Sequence, residues 1–288
     1  MVLVLMMLAA LGVLSYAFQR QLLFPAPKQN VVLTSAHHRI EAVRIALDDK
    51  VLCGYLARPV SEQEPARGLL YFNGRRENPT SIFRALADMP DHAVLCFYQD
   101  GLGLSWRKPG EAQLIADGCA VLDWWTREQG LLLDHISVAG RSLGSGIAVQ
   151  VATLRPINRL LLISPHDRLI SAIRTISRWV PSWWLKDKFD SIAHMPNVTC
   201  PCLLVVGERD RTIPLASSRA LFAGWNGALT EHLVRDAGHR GLLKRRDVQR
   251  VLGAFVSNQR GPYWATADAA PLGFRKKNRR TAAARAAT

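Results

Sequence analysis

The chain has 288 residues, enough to bury one large core, and an α/β domain of about 250 residues needs no second domain. Its 49% apolar and 21% charged residues exclude a wholly disordered chain and fit a globular domain with an apolar extension. The net charge is +14, and residues 261–288 contribute +5 of it through six Lys or Arg and one Asp. This tail is rich in Ala and Arg without an apolar face, which predicts disorder rather than a nucleic-acid partner.

Residues 2–18 are almost entirely apolar, and 17 residues is the short end of what crosses a bilayer. The pattern predicts an N-terminal membrane anchor over 1–19 and hence a single-pass membrane protein. A cleaved signal peptide is the alternative, because 15–17 has small residues suited to a peptidase, and a buried helix is the third reading. Arg20 and Lys28 follow the segment, which by the positive-inside rule favours a cytoplasmic catalytic domain.

A linker with two prolines is expected over 20–37, followed by one domain over 38–260. The first two strands read as an antiparallel hairpin at a sheet edge, and most later strands are continuous apolar runs. Such runs alternating with helices predict an α/β fold with a mostly parallel eight-stranded sheet covered on both faces. The predicted strands are 39–47, 50–58, 68–72, 93–98, 136–139, 160–163, 203–206 and 231–235, and the main helices are 79–87, 111–129 and 147–152.

A serine lies between a predicted strand and a predicted helix in the pattern Gly140-x-Ser142-x-Gly144. This spacing is typical of a nucleophile elbow, where a tight turn strains the serine and leaves no room for side chains two residues away. The hydroxyl then stands clear of the strand end, beside a helix N-terminus that stabilises negative charge. Ser142 is therefore the candidate nucleophile.

Two downstream strand ends carry the groups that such a serine needs. Asp210 follows the strand 203–206, and His239 follows the last strand. Because the carboxyl ends of parallel strands share one rim, Ser142, Asp210 and His239 are expected to meet there in the order nucleophile, acid, base. Asp167 is the alternative acid. The apolar stretch at about 168–190, rich in Trp, is the expected small lid, lining an acyl pocket, touching a bilayer or packing on the sheet edge.

Further motifs accompany this constellation. They are the apolar N-terminus with residues 21–25, the loop 98–105 followed by 109–111, Asp117 with 122–124, the elbow 140–144, residues 207–210 with 213–214, and 238–239. Over about residues 38–258 the chain resembles the α/β-hydrolase superfamily. More narrowly, it resembles the membrane-anchored α/β-hydrolase-domain proteins of the bud-emergence type.

The resemblance implies an oxyanion hole made of two backbone N–H groups, those of Leu143 and Arg75. Relatives often read His-Gly-Asn where this chain has Asn73-Gly74-Arg75, so Asn73 departs from the pattern and puts the local hydrogen bonding in doubt. Arg75 and its neighbour Arg76, with Arg141, either recognise an anionic substrate or pair with nearby acids.

These features predict a serine hydrolase that cleaves an ester or thioester, of a lipid-like or acylated substrate, through an acyl-enzyme. No metal or cofactor is expected, and the five cysteines lack metal-ligand spacing. A non-catalytic, membrane-tethered scaffold of the same fold is the rival hypothesis, and peptidase action is a weaker one. The sequence leaves the oligomeric state open.

Overall fold

The computed structural model describes residues 2–25, 32–48, 50–60, 67–99 and 109–257. The predicted tail at 261–288 and most of the glycine loop at 98–105 lie outside these residues. Eight strands form one sheet in the order β1-β2-β4-β3-β5-β6-β7-β8. Their bounds are β1 His38–Ala46, β2 Val51–Pro59, β3 Arg67–Phe72, β4 His92–Phe97, β5 Ile136–Arg141, β6 Leu160–Ile163, β7 Cys202–Gly207 and β8 Leu229–Val234.

The sheet confirms the predicted architecture. β2 pairs antiparallel with both β1 and β4, and the pairings from β4 through β3, β5, β6 and β7 to β8 are all parallel. Every residue of β4, β6 and β7 is buried, as expected for parallel strands covered on both faces. The open sheet therefore brings the carboxyl ends of β3, β5, β6, β7 and β8 to one rim.

Helices cover both faces of the sheet. The α-helices are α1 Val2–Ala17, α2 Gln19–Leu23, α3 Glu111–Gln129, α4 Leu143–Leu154, α5 Leu169–Arg174, α6 Ser191–His194, α7 Leu215–Ala220 and α8 Arg246–Val256. Short 3₁₀ helices span Leu133–His135, Ser182–Trp184, Met195–Asn197 and Leu242–Lys244. The helix predicted at 79–87 is also 3₁₀, Pro79–Asp88, and the Asn78 side chain caps it by accepting from the Thr80 N–H.

The core is divided by the sheet into two clusters. On one face, α3 and α4 pack large side chains such as Trp125 and Ile147 against Phe72. On the other face, the 3₁₀ helix Pro79–Asp88 and α8 pack Leu86 and Phe255 against the sheet. The two covering layers hold the strands rigidly, so the loops at the carboxyl rim have a fixed base.

The N-terminal segment differs from its prediction. The apolar stretch forms α1, which is 16 residues long. In the part of the chain that the structure describes, no helix combines the length and the apolar character needed to cross a bilayer, so the predicted single-pass anchor over 1–19 is not supported. The predicted linker at 20–37 begins with a contact to the domain, because Phe24 is buried in the core.

Candidate active site

Ser142 occupies a strained turn between β5 and α4. Its backbone has φ 51° and ψ −119°, a conformation that non-glycine residues rarely adopt, and its N–H is held by the Ile163 carbonyl at 2.9 Å. A Cβ on Gly140 would lie 2.5 Å from the Gly144 carbonyl oxygen, and one on Gly144 would lie 2.3 Å from the Phe72 carbonyl oxygen. The steric demand inferred from the two glycines is therefore present in the fold.

Three side chains predicted to meet are hydrogen-bonded in series. The Oγ of Ser142 lies 3.0 Å from Nε2 of His239, and Nδ1 of His239 lies 2.8 Å from Oδ2 of Asp210. The loops after β5, β7 and β8 bring them to the common rim. With Nδ1 protonated and donating to the carboxylate, Nε2 is left as an acceptor for the serine proton.

The Asp210 carboxylate is fixed on both oxygens. Its Oδ1 accepts the backbone N–H groups of Thr212 and Ile213, each at 2.9 Å, while Oδ2 faces His239. Burial alone would raise the pKa of Asp210, but the hydrogen bonds from His239 and the two amides outweigh burial and hold the pKa below its ordinary value. Asp210 is thus a permanent anion next to the imidazole at neutral pH.

The loop after β3 and the start of α4 carry the two backbone N–H groups, of Arg75 and Leu143, for which the sequence predicts an oxyanion hole. The Gly74 N–H already donates to Oε2 of Glu77 at 2.8 Å, so it is not available to bind an oxyanion. Within the described residues, the N–H groups of Arg75 and Leu143 donate to no other group, and both residues line one small cavity of about 30 Å³. Two free amides at one cavity, one of them at a helix N-terminus, suit a developing negative charge.

Asn73 resolves the doubt raised by its departure from His-Gly-Asn. Its side-chain amide donates to the carbonyls of Gly74 and Glu77 at 3.1 and 3.0 Å, and its Oδ1 accepts from Gln99 at 3.0 Å. The amide therefore closes the loop on itself and ties it to the end of β4. Asn73, which departs from the His of the relatives, therefore stabilises the loop through its own hydrogen bonds.

A buried ion pair lies behind the site, and for Arg141 it realises the alternative of pairing with a nearby acid. Nη1 of Arg141 lies 2.9 Å from Oε2 of Glu77, and Nη2 donates to the backbone carbonyl of His239 at 2.7 Å. The same Glu77 oxygen accepts the Gly74 N–H and the Tyr71 hydroxyl. The pair thus links the turn of the serine, the backbone of His239 and the loop that carries the Arg75 N–H.

The other candidates raised by the sequence lie elsewhere. Oδ1 of Asp167 accepts the Ser217 hydroxyl at 2.5 Å, and His239 faces Asp210 instead. Arg141 pairs with Glu77, and it is the one of the three rim arginines with an acidic partner among the residues that the structure describes. His166 is buried beside the Ser142 carbonyl, and burial lowers its pKa to about 4, so it is neutral at pH 7.

Among the described residues, no cluster of His, Cys, Asp or Glu is arranged to hold a metal ion.

The segment between β6 and β7, where the lid is predicted, carries α5, α6 and the two 3₁₀ helices Ser182–Trp184 and Met195–Asn197. Its Phe189 is fully buried against Gly146 of α4. In contrast, Ile176, Trp179 and Trp183 are 88%, 84% and 73% exposed. One side of the segment packs on the domain, and the other presents large apolar side chains to solvent.

A mostly parallel open sheet of this strand order, with a serine at a strained strand-to-helix turn, defines the α/β-hydrolase fold. Comparison with solved structures agrees. An esterase of Pyrococcus furiosus superposes with a TM-score of 0.64 over 83% of this chain and 98% of its own, at 17% identity. The esterase domain of a Rhodothermus marinus protein superposes with a TM-score of 0.58 over 76% and 97%, at 18% identity. At these identities the likeness concerns the fold.

Sequence relatives carry the same family name. An alpha/beta hydrolase domain-containing protein of Caenorhabditis elegans is 27% identical over 60% of this chain and 52% of its own length. Alpha/beta hydrolase domain-containing protein 17C of Mus musculus is 26% identical over 62% and 55%. The chain thus spans about half the length of these curated relatives. No protein-family model matches it. The resemblance to the α/β-hydrolase superfamily is confirmed, and the narrower resemblance to the bud-emergence type stays a prediction.

Proposed function

We propose that this protein is a serine hydrolase that cleaves carboxylic esters or thioesters, with Ser142 as nucleophile, His239 as general base and Asp210 as its orienting acid. The single observation that carries the proposal is the hydrogen-bonded series from Ser142 through His239 to Asp210 at the rim of an α/β-hydrolase sheet. The similarity to solved esterases supports ester hydrolysis as the reaction class but does not identify the substrate.

The reaction runs in two halves. Oγ of Ser142 attacks the substrate carbonyl carbon while Nε2 of His239 takes the hydroxyl proton, and the carbonyl oxygen becomes an oxyanion held by the N–H groups of Leu143 and Arg75. The bond to the leaving alcohol or thiol then breaks as His239 returns the proton to it. A water molecule, deprotonated by His239, attacks the acyl-enzyme, and the acid and the free Ser142 hydroxyl are released.

Apolar side chains beside the site favour an amphiphilic, lipid-like substrate or a membrane surface. Trp179 and Trp183 are exposed, Arg178 lies 5.3 Å from the Trp179 ring, and Tyr16 at the end of α1 stacks edge-on against Trp184 at 5.3 Å. Tryptophan beside cationic side chains suits the boundary between lipid headgroups and acyl chains. Replacing Trp183 by Ser is expected to slow hydrolysis of an ester presented in anionic vesicles while leaving a water-soluble ester unaffected; an equal effect on both would contradict this part of the proposal.

The central test is labelling by a fluorophosphonate probe, which reacts with activated serines. The parent protein is expected to label, Ser142→Ala to lose labelling and His239→Ala to lose most of it. Two exposed positions provide matched controls, Ser177→Ala and His37→Ala, which are expected to label like the parent. A folded parent that does not label would refute the hydrolase and leave the non-catalytic scaffold as the better explanation.

A further inference from the structure

The segment 19–25, which the sequence assigns to the end of an anchor and the start of a linker, is fixed on the catalytic domain. Gln19 is buried; its side-chain amide donates to the Trp184 carbonyl at 3.3 Å and accepts the Lys186 N–H at 2.8 Å. Phe24, at the other end, is 6% exposed and belongs to the main core cluster. Both ends of the segment are therefore anchored, one to the loop after β6 and one to the core.

An ion pair holds the middle of this segment. Arg20 places Nε 2.7 Å from Oδ2 of Asp187 and Nη2 3.0 Å from Oδ1, the two-pronged geometry that guanidinium and carboxylate favour. The Asp187 side chain is 3% exposed and also accepts the N–H of Glu111 at the start of α3. The pair is therefore anchored to two other elements of the domain rather than standing alone on the surface.

The segment also contacts the loop after β3, which carries the Arg75 N–H. Nε of Arg75 donates to the backbone carbonyl of Leu22 at 2.9 Å. Arg75 is the residue whose backbone N–H is proposed to hold the oxyanion, so its side chain and main chain perform different tasks. The N-terminal segment is thereby tied to the loop that must keep this amide in place.

The same segment contributes to the cavity that Leu143 and Arg75 line. Leu23, Phe24 and Pro25 also line it, and its volume is about 30 Å³. Neither Ser142 nor His239 lines this cavity. The leaving group must lie beside Nε2 of His239, which protonates it, so the space near the amides remains for the acyl half of the substrate.

We propose that Leu23, Phe24 and Pro25, held in place by residues 19–22, form the acyl-side wall of the active site and restrict the enzyme to short acyl groups, with Leu23 as the residue that limits chain length. This inference rests on the proposed function and narrows it. A cavity of roughly 150 Å³ is needed to hold a benzene-sized group, and the observed volume is a fifth of that. The space suits an acetyl or propionyl group, and any lipid-like part of the substrate then belongs to the leaving alcohol or thiol.

The test compares hydrolysis of p-nitrophenyl acetate and p-nitrophenyl hexanoate, which share one leaving group. The parent is expected to prefer the acetate. Leu23→Ala removes the wall and is expected to raise the ratio of kcat/KM for hexanoate over acetate by about tenfold or more, because each methylene that fits a pocket changes kcat/KM by about tenfold or more. Leu22→Ala is the matched control: the Leu22 side chain is 60% exposed, its carbonyl is retained, and it does not line the cavity.

Fluorophosphonate labelling of each variant distinguishes failure of the proposed hydrolase activity from failure of the acyl-side wall. A parent that fails to label refutes the proposed function. A parent and a Leu23→Ala variant that both label, but share the same hexanoate-to-acetate ratio, refute the wall while leaving the hydrolase intact. A parent that prefers hexanoate also overturns the inference. Arg75→Met adds an independent arm: loss of its bond to Leu22 is expected to lower kcat more than it raises KM. Arg44→Met, at an exposed position of β1 that does not line the cavity, is expected to change neither.

Discussion

Replacing Arg141 by Met removes the cation from a buried pair and leaves the Glu77 carboxylate behind. The two side chains are only 11% and 12% exposed, and Glu77 has no second cation in reach among the contacts described. Breaking such a pair from one side costs about 3–5 kcal/mol, because the remaining charge stays desolvated. We therefore expect Arg141→Met to lower the free energy of unfolding by this amount.

The double variant Arg141→Met with Glu77→Gln isolates the cause. Glutamine keeps an oxygen for the Gly74 N–H but carries no charge, so the double variant is expected to recover part of the loss, with a coupling of about 2 kcal/mol. Urea unfolding followed by circular dichroism gives the four free energies. Arg155→Met is the matched control, because its partner Asp123 is 36% exposed and an exposed pair contributes about 1 kcal/mol or less.

The reasoning would be refuted if Arg141→Met were no more destabilising than Arg155→Met, or if the losses in the double variant simply added. A second readout concerns the site. Arg141 holds the His239 carbonyl at 2.7 Å, so the folded fraction of Arg141→Met is expected to label more slowly with a fluorophosphonate. Arg155→Met, far from the rim, should label at the parent rate.

Three further predictions concern the site and its support. Asp210→Asn is expected to lower kcat by about 10⁴-fold, since the imidazole loses the partner that fixes its tautomer; a loss under tenfold in steady-state assays would argue against its role. Burial lowers the pKa of His166 to about 4, so between this value and about 6.5 the unfolded chain binds the extra proton and stability falls as the pH drops, by roughly 3 kcal/mol in full. Denaturation at pH 7 and pH 5 should show a smaller drop for His166→Asn, and equal drops would contradict the assignment. Gly144→Ala drives a Cβ into the Phe72 carbonyl, and is expected to abolish labelling or folding, whereas Gly224→Ala, with open space around it, should do neither.

Much of the fold, and the meeting of three side chains at its rim, could be predicted because both follow from local patterns joined by one general rule. Apolar runs identified the strands, and all eight lie within a few residues of their predicted bounds. Parallel strands place their carboxyl ends at one rim, and this rule is sufficient to predict that Ser142, Asp210 and His239 lie together. The glycines at 140 and 144 carried the steric requirement in their identity alone.

Only the tertiary structure decided the partners of residues whose role depends on distant loops. Arg141 lies 64 positions from Glu77 and 98 from His239 in the chain, and no periodicity encodes such a meeting. The apolar N-terminus has the composition of an anchor, yet Arg20 bonds to Asp187, 167 positions away, and Phe24 enters the core. Composition determines how strongly a segment avoids water, whereas the surface that covers it is set by the packing of the whole chain. This is why the sequence located the strained turn at Ser142 but not the contacts of residues 19–25.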